Sequence, residues 1–142
     1  MTQKTRVLFI CTANAARSQM AEGLLRAKYG SRYDAFSAGT RKTKVSTRAI
    51  AVMQEIGIDI SPHRSKTIED LGGVSFDLAV TLCDNARAIC PVVSGAKKTI
   101  HCGFPDPHLT RGREEEILNG YRDVRDRIAS WINETLGKPT PQ

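Results

Sequence analysis

The sequence predicts an α/β domain with a four-stranded parallel sheet flanked by helices, and two observations lead to this prediction. The first is that short apolar segments of strand length alternate along the chain with longer segments of helical periodicity. Such alternation is typical of a parallel sheet with helices on both faces. The second is that the 142 residues contain no internal repeat, low-complexity block or internal linker. A chain of this length buries a single core, so we expect one domain.

The individual elements follow from local patterns. Four predicted strands occupy residues 6–10, 34–38, 75–81 and 97–101. The first predicted helix covers residues 18–29 and stops at Gly30, and the second is capped by Ser46, runs to about residue 56 and ends at Gly57. A short helical segment begins near residue 84 and is ended by Pro91. The last predicted helix covers residues 113–136. We expect the catalytic domain to span residues 1–136 and residues 137–142 to form a flexible tail.

Composition restricts the classes of function. The chain has 21 basic and 15 acidic residues, and the net charge of +6 favours anionic partners. Because the basic residues are dispersed and aromatic residues make up only 6% of the chain, we predict neither nucleic-acid binding nor a membrane surface as the partner. The apolar runs are too short to span a bilayer and the N-terminus resembles no secretory signal, which predicts a cytoplasmic protein. We expect the chain to be a monomer.

The four cysteines are Cys11, Cys83, Cys90 and Cys102. In a reducing compartment, cysteines more often serve catalytic or redox chemistry than permanent disulfides. No CxxC pair occurs and the three histidines are scattered, so we predict no metal site. Cys102 has no role that the sequence indicates, and packing is the simpler interpretation of it.

The segment after the first strand is typical of an anion-binding loop. It reads Cys11, Thr12, Ala13, Asn14, Ala15, Ala16, Arg17 and Ser18. A tight loop that enters a helix N-terminus turns its backbone N–H groups inward, and these groups bind an oxyanion together with the helix dipole. The same field stabilises a thiolate at Cys11, which we predict to be the nucleophile, while Arg17 holds two oxygens of the anion. Asn14 tolerates the left-handed conformation that such a loop needs.

A cysteine and an arginine separated by five residues are a weak signal alone. The alternative is a buried cysteine at a strand end beside a surface arginine. The order of strand, cysteine, small-residue loop, arginine and helix favours the anion-binding loop. Ligands of parallel sheets bind outside the carboxyl ends of the strands, and Cys11, Cys83 and the 103–107 stretch all follow strand ends.

Longer stretches around this loop resemble a known family. FICTANAARSQMAE at residues 9–22 closely resembles the active-site segment of the low-molecular-weight protein tyrosine phosphatase family. Its RSQMAE continuation most resembles the thioredoxin-coupled arsenate reductase branch. The similarity continues through SAG at 37–39, VTLC at 80–83 and GFPDP at 103–107, and so covers nearly the whole chain.

The resemblance implies roles for two further residues. Ser18 is expected to hydrogen-bond the Cys11 thiolate, and Asp106 is expected to be the general acid. A carboxyl group beside a bound oxyanion can hold a proton for a leaving oxygen, which suits Asp106. The alternative for Asp106 is a turn residue before proline.

Cys83 and Cys90 distinguish the two branches of the family. The resemblance implies that arsenate condenses on Cys11, that Cys83 attacks the Cys11 sulfur as arsenite leaves, and that Cys90 attacks Cys83. Reduced thioredoxin is the electron donor that the branch implies, with no tightly bound cofactor. An intact helix separates residues 83 and 90 by about 10 Å, whereas a disulfide needs Cα atoms within about 7 Å. We therefore expect residues 84–89 to unwind when Cys83 and Cys90 are bonded.

Two alternatives to arsenate reduction stay open. The chain is a phosphomonoesterase or phosphotyrosine phosphatase that uses Cys11 and Asp106, or a non-catalytic oxyanion-binding redox module. Against the tyrosine phosphatase, His108 stands where that branch has a tyrosine. For the pair itself, the alternative is that Cys83 and Cys90 are two unrelated buried thiols, whereas a redox module would still form their disulfide without turnover.

The resemblance also raises the question of a potassium ion beside the loop. Asn14, Glu22 and Ser37 match residues that bind potassium in some reductases of this type. Arg64 and Lys66 bring positive charge where further oxygen ligands are expected. The two hypotheses are a bound potassium ion and a replacement of that ion by Arg64 or Lys66.

Overall fold

A computed structural model describes residues 4–82 and 95–137. The strands are β1 (Thr5–Cys11), β2 (Tyr33–Gly39), β3 (Phe76–Thr81) and β4 (Ala96–His101), and the helices are α1 (Arg17–Tyr29), α2 (Thr47–Gln54) and α3 (Glu114–Thr135). Short 3₁₀ helices occupy Glu69–Leu71 and Pro107–Leu109. The sheet order is β2-β1-β3-β4, and every neighbouring pair is parallel. The predicted fold class is confirmed.

Alternate side chains of β1 point to opposite faces of the sheet and pack into two separate hydrophobic clusters. Val7 and Phe9 face the larger cluster, to which α1, α2 and α3 contribute their buried side chains. Leu8 and Ile10 face a smaller cluster, which the segment around Leu71 covers. Within residues 4–82 and 95–137, therefore, all three α-helices lie on one face of the sheet, and a 3₁₀ helix contributes to the other. A 3₁₀ turn is too short to give a periodic pattern, so the sequence did not predict this element of the second face.

The ends of α2 illustrate a second difference. Ser46 caps the helix as predicted, and its hydroxyl accepts a hydrogen bond from the N–H of Ala49 at 3.2 Å. The helix ends at Gln54, however, rather than near residue 56. Ile56 and Gly57 bond carbonyls only three residues back, so the last turn tightens, and Gly57 leaves it with a positive φ of 79°.

Several predicted segments lie outside the described residues. They are the short helix from residue 84, both residues of the Cys83–Cys90 pair, and the tail beyond Gly137. In the two described stretches, no helix combines the length and the apolar character needed to cross a membrane.

Candidate active site

Cys11 is the last residue of β1, where the chain leaves the sheet. Its neighbour in the parallel pairing is Gly39, the last residue of β2. The cysteine is 2% exposed, and its Sγ lies 2.8 Å from the hydroxyl oxygen of Ser18. Ser18 is fully buried in the first turn of α1. Ser18, which was predicted to hydrogen-bond the Cys11 thiolate, therefore lies within hydrogen-bonding distance of the Cys11 sulfur.

The carbonyl groups of the loop after Cys11 accept hydrogen bonds from donors outside the loop. These pairs are Thr12 O with the N–H groups of Thr40 and Arg41, Ala13 O with the hydroxyls of Thr43 and Ser65, Asn14 O with the amide of Gln19, and Ala15 O with the N–H of Ser46. In a trans peptide the C=O and the following N–H point in opposite directions. Outward carbonyls therefore direct the N–H groups of residues 13–16 inward, as an anion-binding loop requires.

Asn14 holds the turn of this loop. It is the one non-glycine residue among those described that has a positive φ, at 49°. Its side-chain amide donates to the Ser18 hydroxyl at 2.8 Å. Its amide oxygen accepts from Gln19 Nε2 at 2.9 Å and from the backbone N–H of Lys66 at 2.8 Å. A fully buried asparagine thus satisfies its polar atoms and fixes the hydroxyl beside Cys11.

The N-terminus of α1 is suited to an anion. Ala16 occupies the N-cap position and offers no side-chain oxygen to the first turn. No acidic residue lies in that turn. A bound oxyanion would accept hydrogen bonds there and interact favourably with the positive end of the helix dipole.

Arg17 is anchored by the ends of two other segments. Its Nη1 donates to the carbonyl of Phe104 at 3.0 Å and to that of Leu82 at 3.4 Å. Its Nη2 lies 3.7 Å from Oδ2 of Asp106. The guanidinium is almost completely buried, so its orientation is set by protein contacts before any anion binds.

The two carboxylate oxygens of Asp106 have different contacts: one caps a short helix and the other faces Arg17. Oδ1 accepts the N–H of His108 at 3.0 Å and so caps the 3₁₀ helix Pro107–Leu109. The side chain is 30% exposed and lines the same cleft as Cys11. The structure therefore combines the two sequence interpretations, because Asp106 both begins a turn and lies beside the loop.

One cleft, with a volume of about 390 Å³, brings these residues together. Seven of the predicted site residues line it: Cys11, Thr12, Ala13, Ala15, Ala16, Arg17 and Asp106. Sequence reasoning missed Arg41, Thr43, Ser46, Leu109 and Tyr121, which line its walls. No motif marks these five residues, and their places depend on how the loops pack.

Gly39 is required by the close approach of two loops. A Cβ atom there would lie 2.8 Å from Thr12 O and 2.9 Å from Asn14 N. Both are backbone atoms of the anion-binding loop, and they cannot move without disturbing it. We expect Gly39→Ala to lower the free energy of unfolding by about 3 kcal/mol and to weaken phosphate binding. Urea unfolding with and without phosphate measures both effects.

Gly95→Ala is the matched control, because its added Cβ would meet Val74 O at an ordinary 3.4 Å. If Gly39→Ala matched Gly95→Ala in stability and in phosphate binding, the close packing inferred at Gly39 would be contradicted.

The residues suggested for a potassium ion are already occupied by protein groups. The amide oxygen of Asn14 accepts two N–H donors. The Glu22 carboxylate accepts a hydrogen bond from the Ser37 hydroxyl, and it forms an ion pair with Arg26 Nη2 at 2.6 Å. The ammonium of Lys66 lies 3.8 Å from Glu22 Oε1. The described residues therefore do not fit a bound potassium ion. Lys66, rather than Arg64, directs its cation at Glu22.

The remaining cysteines have different positions. Cys102 follows β4, is half-buried and packs against the larger core cluster, and burial raises the pKa of its thiol. Cys83 and Cys90 lie outside the described residues. Within residues 4–82 and 95–137, no group of three or more histidine, cysteine or acidic side chains is placed to hold a metal ion.

The parallel sheet and the loop at its carboxyl edge define a class of α/β domains that hold a cysteine inside an anion-binding loop at the start of a helix. A family model described as low molecular weight phosphotyrosine protein phosphatase matches residues 6–138. The chain belongs to this family.

Comparison with individual proteins gives a narrower relationship. An arsenate reductase of Halalkalibacterium halodurans is 42% identical over 129 residues, which cover 91% of this chain and 93% of that protein. A solved structure described as an arsenate reductase in the phosphate binding state has a TM-score of 0.76 at 27% identity, with 96% of this chain and 99% of that chain covered. A thioredoxin-dependent arsenate reductase of Corynebacterium glutamicum has a TM-score of 0.67 at 25% identity, with 96% and 65% covered.

Proposed function

We propose that this chain reduces arsenate to arsenite by a relay of three cysteines, Cys11, Cys83 and Cys90, and that reduced thioredoxin regenerates it. The observation that carries the proposal is the position of the Cys11 sulfur. It lies 2.8 Å from the Ser18 hydroxyl, inside a loop whose carbonyls point outward, and beside a buried arginine. The arsenate reductases that resemble the chain over most of its length support the choice of substrate.

In the first step the Cys11 thiolate attacks arsenic. Arsenate binds to the inward N–H groups, while Arg17 holds two of its oxygens. A sulfur–arsenic bond forms, and one arsenate oxygen leaves as water with a proton from Asp106. Arsenic is still pentavalent at this point.

In the second step two electrons pass to arsenic. The Cys83 thiolate attacks the Cys11 sulfur, and the sulfur–arsenic bond breaks with its electron pair going to arsenic. Arsenite, now trivalent, leaves, and a Cys11–Cys83 disulfide remains. The Cys90 thiolate then attacks the Cys83 sulfur, which releases the Cys11 thiolate and forms a Cys83–Cys90 disulfide. A dithiol donor reduces that disulfide and is itself oxidised.

Two observations support the later steps. Leu82, the residue bonded to Cys83, has its carbonyl 3.4 Å from the Arg17 guanidinium, so the chain reaches Cys83 from a residue beside the loop. The Corynebacterium glutamicum protein that shares this fold is described as thioredoxin-dependent, which supports thioredoxin as the donor.

Replacing the relay cysteines tests the proposal. We expect Cys83→Ser and Cys90→Ser to abolish arsenate turnover with thioredoxin, thioredoxin reductase and NADPH, because the disulfide cannot form or cannot move outward. Hydrolysis of p-nitrophenyl phosphate by both variants is expected to persist, since it needs Cys11 and not the other two thiols.

Cys102→Ser is the matched control, because Cys102 lies at the end of β4 and packs against the core, and we expect it to keep both activities. Arsenate turnover that survives in Cys83→Ser would show the relay to be wrong. A wild-type chain that forms the disulfide without any turnover would instead indicate an oxyanion-binding redox module.

Phosphomonoester hydrolysis is the second candidate function, and the size of the cleft favours it. The volume of about 390 Å³ leaves room beyond a tetrahedral anion for an ester group. Leu109 and Tyr121 supply apolar wall, and Asp106 lies where it can protonate a leaving oxygen. Because both reactions begin with attack by Cys11, the two activities are compatible in one chain.

A further inference from the structure

A buried carboxylate lies beneath the anion-binding loop, on the side away from the cleft. Glu22, in the second turn of α1, is 6% exposed. A carboxylate that is removed from water needs hydrogen bonds or a cation to remain charged. The Ser37 hydroxyl and the Lys66 ammonium both approach Oε1, and Arg26 pairs with Oε2.

Lys66 is joined to the loop at three points. Its backbone N–H donates to the amide oxygen of Asn14 at 2.8 Å. Its carbonyl accepts the N–H of Gly39 at 2.8 Å. Its ammonium donates to the carbonyl of Arg64 at 2.9 Å while facing Glu22 at 3.8 Å. A displacement of this residue would therefore reach the amide that orients Ser18 and, through it, Cys11.

The other basic groups around Glu22 have different roles. Arg26 is half-exposed and binds the outer oxygen of the carboxylate. His63 lies 3.9 Å from that oxygen, but burial lowers its pKa, and its ring nitrogens are taken by Arg26 and the side-chain oxygen of Gln19. Burial also lowers the pKa of Lys66, and the charge of Glu22 opposes this shift.

We propose that Lys66 is a positioning residue of the anion-binding loop, whose ammonium is a fixed counter-charge for Glu22 and makes the site independent of monovalent metal cations. The Lys66 ammonium faces Glu22 and donates to the carbonyl oxygen of Arg64. The side-chain amide oxygen of Asn14 already accepts two N–H donors. These oxygens are therefore not available to a metal cation. Removing the ammonium would leave a buried carboxylate, a hydroxyl and a main-chain carbonyl, which are ligands for a hard cation.

The test measures anion binding and turnover separately. Wild type, Lys66→Gln and the control Lys98→Gln, an exposed lysine on β4, are placed in choline, sodium or potassium chloride at equal ionic strength. Protection of the Cys11 peptide from iodoacetamide by inorganic phosphate, followed by mass spectrometry, reports the affinity of the loop. Arsenate turnover is measured in the same salts; that arm rests on the proposed function, whereas the protection arm does not.

We expect wild type and Lys98→Gln to bind phosphate equally in all three salts. Lys66→Gln is expected to bind about tenfold more weakly in choline, a loss typical of removing a residue that supports a site, and to regain affinity in potassium or sodium chloride. Arsenate turnover by Lys66→Gln is likewise expected to be lower than that of wild type in choline and to recover in potassium or sodium chloride.

Three results would overturn the proposal. The first is a wild-type protein that binds phosphate markedly better in potassium than in choline, and the second is a folded Lys66→Gln that equals wild type in choline. The third is a Lys66→Gln that is equally impaired in every salt, because a cation would then not replace the missing ammonium. If Lys66→Gln fails to fold, the proposal is judged by whether wild type binds phosphate equally in choline, sodium and potassium chloride. Failure of arsenate turnover in wild type, with intact phosphate protection, would remove the proposed function and leave the role of Lys66 in place.

Discussion

Replacing Arg17 by lysine is expected to lower kcat/KM for arsenate by about 10²- to 10³-fold, the size of loss seen when one preorganised donor to a reacting oxyanion is removed. Lysine keeps the charge but not the planar fork. Arg17 bonds the carbonyls of Leu82 and Phe104 with one nitrogen and directs another towards Asp106. A single ammonium cannot keep those anchors and also hold two oxygens of the anion. Steady-state kinetics of the purified variant measure the loss.

Arg6→Lys is the matched control for this substitution. Arg6 also donates to a main-chain carbonyl, that of Ser75, but it is exposed near the opposite end of β1. We expect its kinetics to match those of wild type. If Arg17→Lys were as active as Arg6→Lys, the anion would not be held by the fork of Arg17.

Replacing Asp106 by asparagine is also expected to have a large effect, on the hydrolysis of phosphate esters. Asparagine keeps an oxygen that can accept the N–H of His108, so the cap of the 3₁₀ helix is retained, but it has no proton to give. We expect kcat for phenyl phosphate to fall by about 10²-fold or more. The fall for p-nitrophenyl phosphate is expected to be smaller, because nitrophenolate leaves with less help from an acid. Comparison of kcat for the two esters gives the result.

Asp59→Asn provides the control, because Asp59 accepts the N–H of Ser61 in the same local geometry while lying outside the cleft. This variant is expected to hydrolyse both esters at the wild-type rate. Equal and small losses for the two esters in Asp106→Asn would mean that Asp106 is a turn residue and not the acid.

The fold was largely predictable because its strands are local patterns. The runs at residues 6–10 and 75–81 are apolar enough to mark buried strands, and β1 and β3 lie at the centre of the sheet. The layer on the second face was not predictable. It is formed in part by Glu69–Leu71, a single 3₁₀ turn whose three residues carry no periodicity.

The candidate site was predictable where it follows the chain and not where it depends on distant contacts. The loop from Cys11 to Ser18 is continuous in sequence, and the structure brings its members together around one cleft. The support of Asn14 by Lys66 joins residues 52 positions apart, and nothing local to either residue indicates it. From the sequence, Arg64 and Lys66 were equivalent as replacements for a cation. Only the packing around Glu22 separates them, because one offers its carbonyl and the other its ammonium.

The most direct test of the relay is to map disulfides after a single arsenate turnover. Reduced protein is mixed with one equivalent of arsenate, free thiols are alkylated, and the cysteine-containing peptides are identified by mass spectrometry. We expect a Cys83–Cys90 disulfide in wild type and a Cys11–Cys83 disulfide in Cys90→Ser. Arsenite formed in stoichiometric amount while Cys83 and Cys90 remain alkylated thiols would contradict the relay.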